Sequence, residues 1–138
     1  MKFINRKDLI AYTQRNIISF FFLLFACSFV FLLTFSKSSG VGVRFFYYFQ
    51  WIIGGDKSLH MLSSGLITFS FHWFLYNAYQ RRTHFLICLL FILSVFSLEE
   101  IAQIFFPSRQ FDLADLSASA LGVVLVSIPF YFSFRKRE

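Results

Sequence analysis

Residues 85–119 read FLICLLFILSVFSLEEIAQIFFPSRQFDLADLSAS. An apolar run fills 85–106, a short polar connection follows from Pro107 to Asp112, and a second apolar run opens at Leu113. About 20 such residues in a helix rising 1.5 Å each cross a hydrocarbon core of roughly 30 Å. The two runs therefore predict a pair of membrane helices, and the tight connection makes them antiparallel neighbours. Yet Glu99 and Glu100 stand near the end of the first run, and Asp112 and Asp115 open the second. A carboxylate at membrane depth costs about 2.5–3.5 kcal/mol even on lenient insertion scales, so such groups face a partner or water. Four of them around one turn mark that end of the hairpin as the place to look for a site.

Two further apolar runs cover 17–35 and 59–79. Hydrophobic residues make up 57% of the 138 and the mean hydropathy is +0.65, which excludes an ordinary soluble domain. The expectation is an all-α integral membrane protein: a four-transmembrane-helix bundle with helices over 17–35, 59–79, 85–106 and 113–134, forming one domain over 1–138. The run at 17–35 exceeds the roughly 7–15 apolar residues of a signal peptide, and Ser36-Lys37-Ser38 matches a cleavage site poorly, so it reads as a retained anchor. The 23 phenylalanines suit a lipid-facing surface. Cys27 and Cys88 fall at different depths and read as apolar filler rather than a disulfide.

A net charge of +6 would suggest nucleic acid in a soluble chain; here its distribution describes topology instead. Lys2, Arg6, Lys7, Arg15, Arg81, Arg82, Arg135, Lys136 and Arg137 fall on one side of the expected spans, against Lys37, Arg44, Lys57 and Arg109 on the other. The positive-inside rule then puts both termini in the cytoplasm. The basic first sixteen residues are expected to rest on the inner surface, and 36–40 to form a flexible turn. Residues 41–53, with Phe45, Phe46, Tyr47, Tyr48, Phe49 and Trp51, are too few to span. They predict a short helix or re-entrant segment at the outer interface between helices 1 and 2. Gly54-Gly55 end it, and Asp56 is placed to cap the next helix. Pro107 is expected to stop the third helix and Pro129 to kink the fourth, with Ser127 or a neighbour relieving the freed carbonyl. Ala114, Ala118 and Gly122, four apart, predict a close helix approach.

On this topology the start of the second membrane helix, the end of the third and the start of the fourth share the outer face. Asp56, His60 and Ser64 lie on one helix face, as do Ser94, Ser97, Glu100 and Gln103, and then Asp112, Asp115, Ser119 and Gly122. Three polar stripes turned inward predict a wet groove open to the outside. Adjacent helix positions point about 100° apart, so Glu99 leads back to Val95 and Ile92 while Glu100 leads to Ser97 and Ser94. Glu100 is the expected buried carboxylate, nearest the cavity centre; Glu99 is expected at the interface or paired with Lys57 or Arg109. The expected ligand-binding set is Asp56, Lys57, His60, Glu100, Gln103, Arg109, Asp112, Asp115 and Ser119.

The same residues carry a family resemblance. Asp56-Lys57-Ser58-Leu59-His60, Glu100-Ile101-Ala102-Gln103, Pro107-Ser108-Arg109-Gln110-Phe111-Asp112 and Asp115 resemble the motifs of VanZ-like membrane proteins, in order, from about residue 56 to 122. Ser119 stands where the family pattern has Asn, and Ser108 where it has Gly. The resemblance implies a protein of the bacterial inner membrane, and its founding member is linked to resistance to the glycopeptide teicoplanin. It supplies no reaction.

The site chemistry admits several readings. His60 with Glu100, Asp112 and Asp115 offers donors a metal accepts, but Lys57 and Arg109 among the acids favour a salt-bridged network, and no metal or other cofactor is expected. Enzymatic use would rest on His60 as general base and Glu100 as acid, with Lys57 and Arg109 clamping an anion. No Ser-His-Asp order, phosphate loop or HExxH motif is present. Ser58, Ser63 and Ser64 read as packing hydroxyls, His72 as an interhelical hydrogen-bonding group and His84 as interfacial. Transport is disfavoured because the third and fourth helices carry no acid at mid-depth. The favoured expectation is an outward polar groove binding an anionic cell-envelope or glycopeptide-related ligand. The alternative is a membrane-embedded hydrolase or transferase acting on a lipid-linked envelope intermediate. Expected partners are membrane lipid, with a lipid-linked envelope precursor or glycopeptide antibiotic, and no nucleic acid.

Overall fold

The computed structural model describes the backbone of residues 6–78, 82–106 and 109–135, and the side chains of 10–78, 85–106 and 109–133. Pro107, Ser108, Arg81 and the terminal basic residues lie outside the described residues, as do the side chains of Arg82, His84 and Arg135. The elements are α1 (Arg6–Ser39), α2 (Val43–Ile52), α3 (Asp56–Ala78), α4 (Arg82–Ala102), a 3-10 turn (Gln103–Phe105) and α5 (Leu113–Arg135). No strand occurs among the described residues.

α1 is one continuous helix of 34 residues, which corrects two expectations. Residues 6–16 continue the first helix rather than forming a separate surface segment, and 36–39 extend it rather than forming a turn. The reason is local: neither glycine nor proline interrupts the chain before Gly40. Tyr12 Oη also donates to the Ala78 carbonyl at 3.1 Å, tying this extension to the far end of α3. The short aromatic segment is helical, as expected: α2 buries Phe46 and leaves Phe45, Tyr47, Tyr48 and Trp51 exposed. Gly54 and Gly55 follow it with φ of +93° and +105°, a region L side chains avoid. α4 stops at Ala102, before Pro107. Phe106 is extended, with φ −108° and ψ 123°, as a residue preceding proline must be.

Side-chain contacts give the helix directions. Lys37 meets Asp56 and Phe22 meets Trp73, so α1 and α3 are antiparallel. Glu100 reaches the Asp112 amide and Phe85 reaches Tyr131, so α4 and α5 are antiparallel. His60 faces Ser119 and His72 faces Ser127, so α3 and α5 run parallel. The C-terminal ends of α1 and α4 and the N-terminal ends of α3 and α5 therefore meet at one end of the molecule.

α3 is the central helix, packed most extensively on α5 and also on α1 and α4. Its buried residues are mostly polar: His60, Ser64, Thr68 and His72 follow one face at four-residue steps, Ser70 lies on another, and Leu59 and Gly65 complete the set. Ser64, Thr68 and Ser70 donate back to the carbonyls of Met61, Ser64 and Leu66, which lets them be buried without further partners. His72 stacks between Phe85 and Phe130. Large apolar side chains instead point outward, among them Phe21, Phe25, Leu32, Ile87, Leu90 and Leu98. Exposed apolar surface on this scale suits an apolar surround. Among the described residues, three helices are long and apolar enough to cross a membrane: Ile10–Ser39, Phe85–Phe105 and Leu113–Ser133. The expected span at 59–79 is not among them, because the polar residues that line the bundle interior lower the hydropathy of α3.

The expected small-residue seam is narrower than Ala114, Ala118 and Gly122 together, since Ala114 is exposed. The contact is Gly122 against Gly65: a Cβ on Gly122 would collide with the Met61 carbonyl and Ser64 Oγ. α5 continues through Pro129, and Ser127 Oγ donates to the Val123 carbonyl, not to the one that Pro129 frees. Gly122→Ala should lower the unfolding midpoint of the detergent-solubilised protein by the equivalent of about 1–3 kcal/mol of overpacking. Gly65→Ala should cost less, because its nearest neighbour is the Val126 methyl at 3.3 Å. Unchanged midpoints for Gly122→Ala would contradict the close approach.

Candidate functional site

The converging helix ends build the site in two layers: an ion-paired network between α3, α4 and α5, and a cavity between α1, α3 and α4. In the network, Lys57 Nζ reaches Asp112 Oδ2 at 3.1 Å and Asp115 Oδ1 at 3.4 Å. Asp112 also caps α5, accepting from the Ala114 amide at 2.8 Å, which supplies one of the free donors at a helix start. That hydrogen bond, and then Lys57, hold the Asp112 carboxyl below its usual range, while Asp112 and then Asp115 push Lys57 up. His60 lies between two α5 residues one turn apart: Nδ1 is 3.4 Å from Ser119 Oγ and Nε2 is 3.7 Å from Asp115 Oδ2.

Glu100 is 1% exposed, as its helix phase requires. One oxygen accepts from Gln103 Nε2 at 2.8 Å and the other from the Asp112 amide at 3.0 Å. The carboxylate thus fastens the start of α5 onto the end of α4. This corrects its expected place at the cavity centre: Glu99 lines the cavity and Glu100 does not. Phase identifies the buried side of α4, but at Glu100 that side meets the start of α5, while Ile92 two turns earlier on it lines the cavity. The expected polar stripe of α4 is corrected too. Ser94 is exposed and Ser97 half-buried, each bonded to its own helix, and the buried face is Cys88, Ile92 and Glu100.

The cavity measures about 460 Å³. Lys37, Asp56, His60, Glu99 and Arg109 line its polar end, and residues such as Val30, Ile67, Phe71, Ile92, Val95 and Phe96 its long apolar part. A second recess of about 350 Å³ adjoins it and shares Phe31, Thr34, Glu99 and Arg109. Arg109 has a side chain only 4% exposed and donates through Nη1 to Glu99 Oε1 at 3.3 Å and to Ser38 Oγ at 3.4 Å. Its Nε–H is buried without a partner. Lys37 is the residue that sequence reasoning missed. Placed in a loop, it is in fact on the last turn of α1, with Nζ 2.6–2.7 Å from both oxygens of Asp56 and 5.6 Å from the Phe46 ring. Asp56 therefore serves as its counter-ion instead of the expected helix cap. The missed signal was the unbroken helical stretch up to Gly40.

Of the expected site set, Asp56, His60 and Arg109 line the main cavity, and Gln103 lines the second recess. Lys57, Glu100, Asp112, Asp115 and Ser119 form the network behind them. Two trios of donors converge on His60: with Asp56 and Asp115, and with Glu99 and Glu100, each set having one atom per residue within 4.8 Å of the others. Such nitrogen and oxygen sets suit zinc or manganese. Lys37, Lys57 and Arg109 nevertheless already neutralise Asp56, Asp115 and Glu99, and a metal would have to displace them. The arrangement as it stands is an ion-pair network with one anion-competent guanidinium at a cavity wall.

No family model, curated protein or solved structure matches the chain.

Lys37→Met should strand a half-buried Asp56 and lower stability by about 1–3 kcal/mol, between the values for exposed and buried pairs. Lys37→Met/Asp56→Leu should recover most of that loss in thermal unfolding of the purified protein. A double variant no more stable than the single one would show that the pair does not hold α1 to α3.

Proposed function

We propose that this chain is a VanZ-like protein of the bacterial inner membrane that binds an anionic cell-envelope or glycopeptide-related ligand and thereby changes tolerance to teicoplanin. On this reading α1, α3, α4 and α5 each cross the membrane, α2 lies at the outer interface, both termini are cytoplasmic, and the polar end of the cavity faces outward. Support for four spans comes from α3 itself, which is 23 residues long and turns its polar side chains inward. Support for the orientation comes from the asymmetry of basic residues.

The observation that carries the ligand class is Arg109: a buried guanidinium at the wall of two recesses, with Nε–H unpartnered. A guanidinium presents a planar fork that matches carboxylate or phosphate, and unlike lysine it does so bidentately. The motif resemblance supports the same residue. A hydrolase or transferase acting on a lipid-linked intermediate is the second reading, favoured by His60, which lines the cavity with Asp115 behind it. It ranks second because Ser119, Asp115 and Glu100 do not line the cavity, so His60 alone of these reaches its space.

Arg109→Ala should abolish the effect of the protein on teicoplanin tolerance in cells with matched protein levels, and Arg109→Lys should restore little of it. Matched levels matter because removing one partner of a buried pair can cost about 3–5 kcal/mol of folding. Full activity of a stably inserted Arg109→Ala protein would remove the anion reading.

Topology is tested on a chain freed of Cys27 and Cys88. Cysteines replacing Lys57, in the first turn of α3, and Arg81, three positions after Ala78 in the sequence, should label from opposite sides with a membrane-impermeant thiol reagent. Position 57 should react in intact cells and position 81 only after lysis. Labelling of both from one side would remove α3 as a span, and the reverse pattern would invert the orientation.

A further inference from the structure

The cavity has a shape that an anion alone does not explain. Its polar residues are gathered at one end, and from there an apolar space runs along α1, α3 and α4. The lining on α1 extends from Lys37 back to Cys27, ten residues or about 15 Å of helix rise. That is half of a hydrocarbon core of roughly 30 Å, so the space is one leaflet deep. Its volume of about 460 Å³ falls within the range of small-ligand pockets, roughly 300–1,000 Å³. Water has almost no partners between Val30, Ile67, Phe71, Ile92, Val95 and Phe96, and apolar cavities stay dry. α1 and α4 each pack on α3 but not closely on one another, which leaves the space between them.

The charges at the polar end are unequally placed. The cations are the inner members of their pairs: the side chains of Arg109 and Lys37 are 4% and 17% exposed, those of Glu99 and Asp56 29% and 31%. An arriving anion can therefore displace the outer carboxylates while the cations stay where they are. Arg109 brings the unpartnered Nε–H to such an exchange.

We propose that the cavity holds one molecule of an amphiphile from a single leaflet, with one hydrocarbon tail between α1 and α4 and a phosphate-type anionic head at Arg109 and Lys37. This rests on the anion-binding reading above and adds the tail. The occupant is a membrane lipid, and the polar end of the cavity selects among lipids by the charge of the head.

The test uses the full chain in nanodiscs and a palmitoyl lysophosphatidic acid with a photoreactive diazirine near the end of its tail. Saturable labelling should map to α1 and α4 residues lining the cavity. Unlabelled palmitoyl lysophosphatidic acid should compete about tenfold better than monopalmitoylglycerol, a difference of roughly 1.4 kcal/mol, and glycerol phosphate should not compete. Val95→Trp and Val30→Phe, which fill the cavity from opposite walls, should each suppress labelling. Leu98→Trp, which points outward from α4, should not. Displacement by glycerol phosphate as good as by the lipid, or labelling indifferent to both filling variants, would overturn the tail while leaving the anion site. Equal competition by monopalmitoylglycerol, with labelling unchanged in Arg109→Gln, would overturn the head and with it the anion reading. Labelling spread over the outward-facing surface would overturn the proposal outright.

Discussion

The close contact of α3 with α5, where Gly122 lies against the Met61 carbonyl and Ser64 and Gly65 faces the Gly122 carbonyl, sets the pairing between these two helices. Parallel helices that touch there have little freedom to slide, so the pairs above the contact follow from it. Lys57 reaches Asp112 and Asp115, and His60 lies between Asp115 and Ser119. Below it, His72 meets Ser127 in the same register. A side chain at Gly122 would push α5 away from the Met61 carbonyl and open each of these pairs. In an apolar surround packing of this kind drives helix association, because lipid tails are as apolar as leucine and no hydrophobic gain is available.

Helix dipoles favour some charges at the convergent end and oppose others, Lys57 in the first turn of α3 among them. Lys37 lies on the last turn of α1, and Asp56, Asp112 and Asp115 lie at the starts of α3 and α5, all at the favourable terminus for their sign. Glu99 and Glu100 do not: they approach the C-terminal end of α4, where carbonyls already present negative charge. Their compensation is specific. Arg109 takes Glu99, Gln103 takes Glu100, and the first free amide ahead of α5 also turns to Glu100. The carboxylate that costs most thus becomes the fastening between two helices.

Periodicity reveals which residues share a helix face, and this much of the fold and site was legible. All-helical structure, the clustering of acids at one end and the burial of Glu100 follow from phase and order, whereas the choice of Arg109 over Lys57 or the interface as the place of Glu99 is made by the structure. Phase does not reveal which neighbour a face meets. Glu100 was therefore expected at the cavity although it faces α5, and the Ser94–Ser97 stripe was expected inside although those hydroxyls satisfy their own helix. Lys37 was hidden for a different reason. Apolarity falls away after Phe35, but the helix continues to Ser39 because nothing breaks it, and those four residues carry the lysine onto Asp56. The hydropathy of α3 is low for a related reason, since a helix surrounded by its own bundle can be polar where it is buried.

The space between α1 and α4 is a consequence of how these helices are held. Both lean on α3, whose Leu59, Ser63, Ile67 and Phe71 form the floor of the cavity. In water such a gap would cost stability for every apolar group left unpacked. In lipid a hydrocarbon chain fills it at little cost, so no force closes it along its length. The gap is bridged at the polar end, where Arg109 reaches Ser38 of α1 and Glu99 of α4 with the same Nη1. A single buried guanidinium therefore joins the two walls and presents charge to whatever lies between them, so a change in its counter-ion bears on the spacing of α1 and α4 as well as on the site.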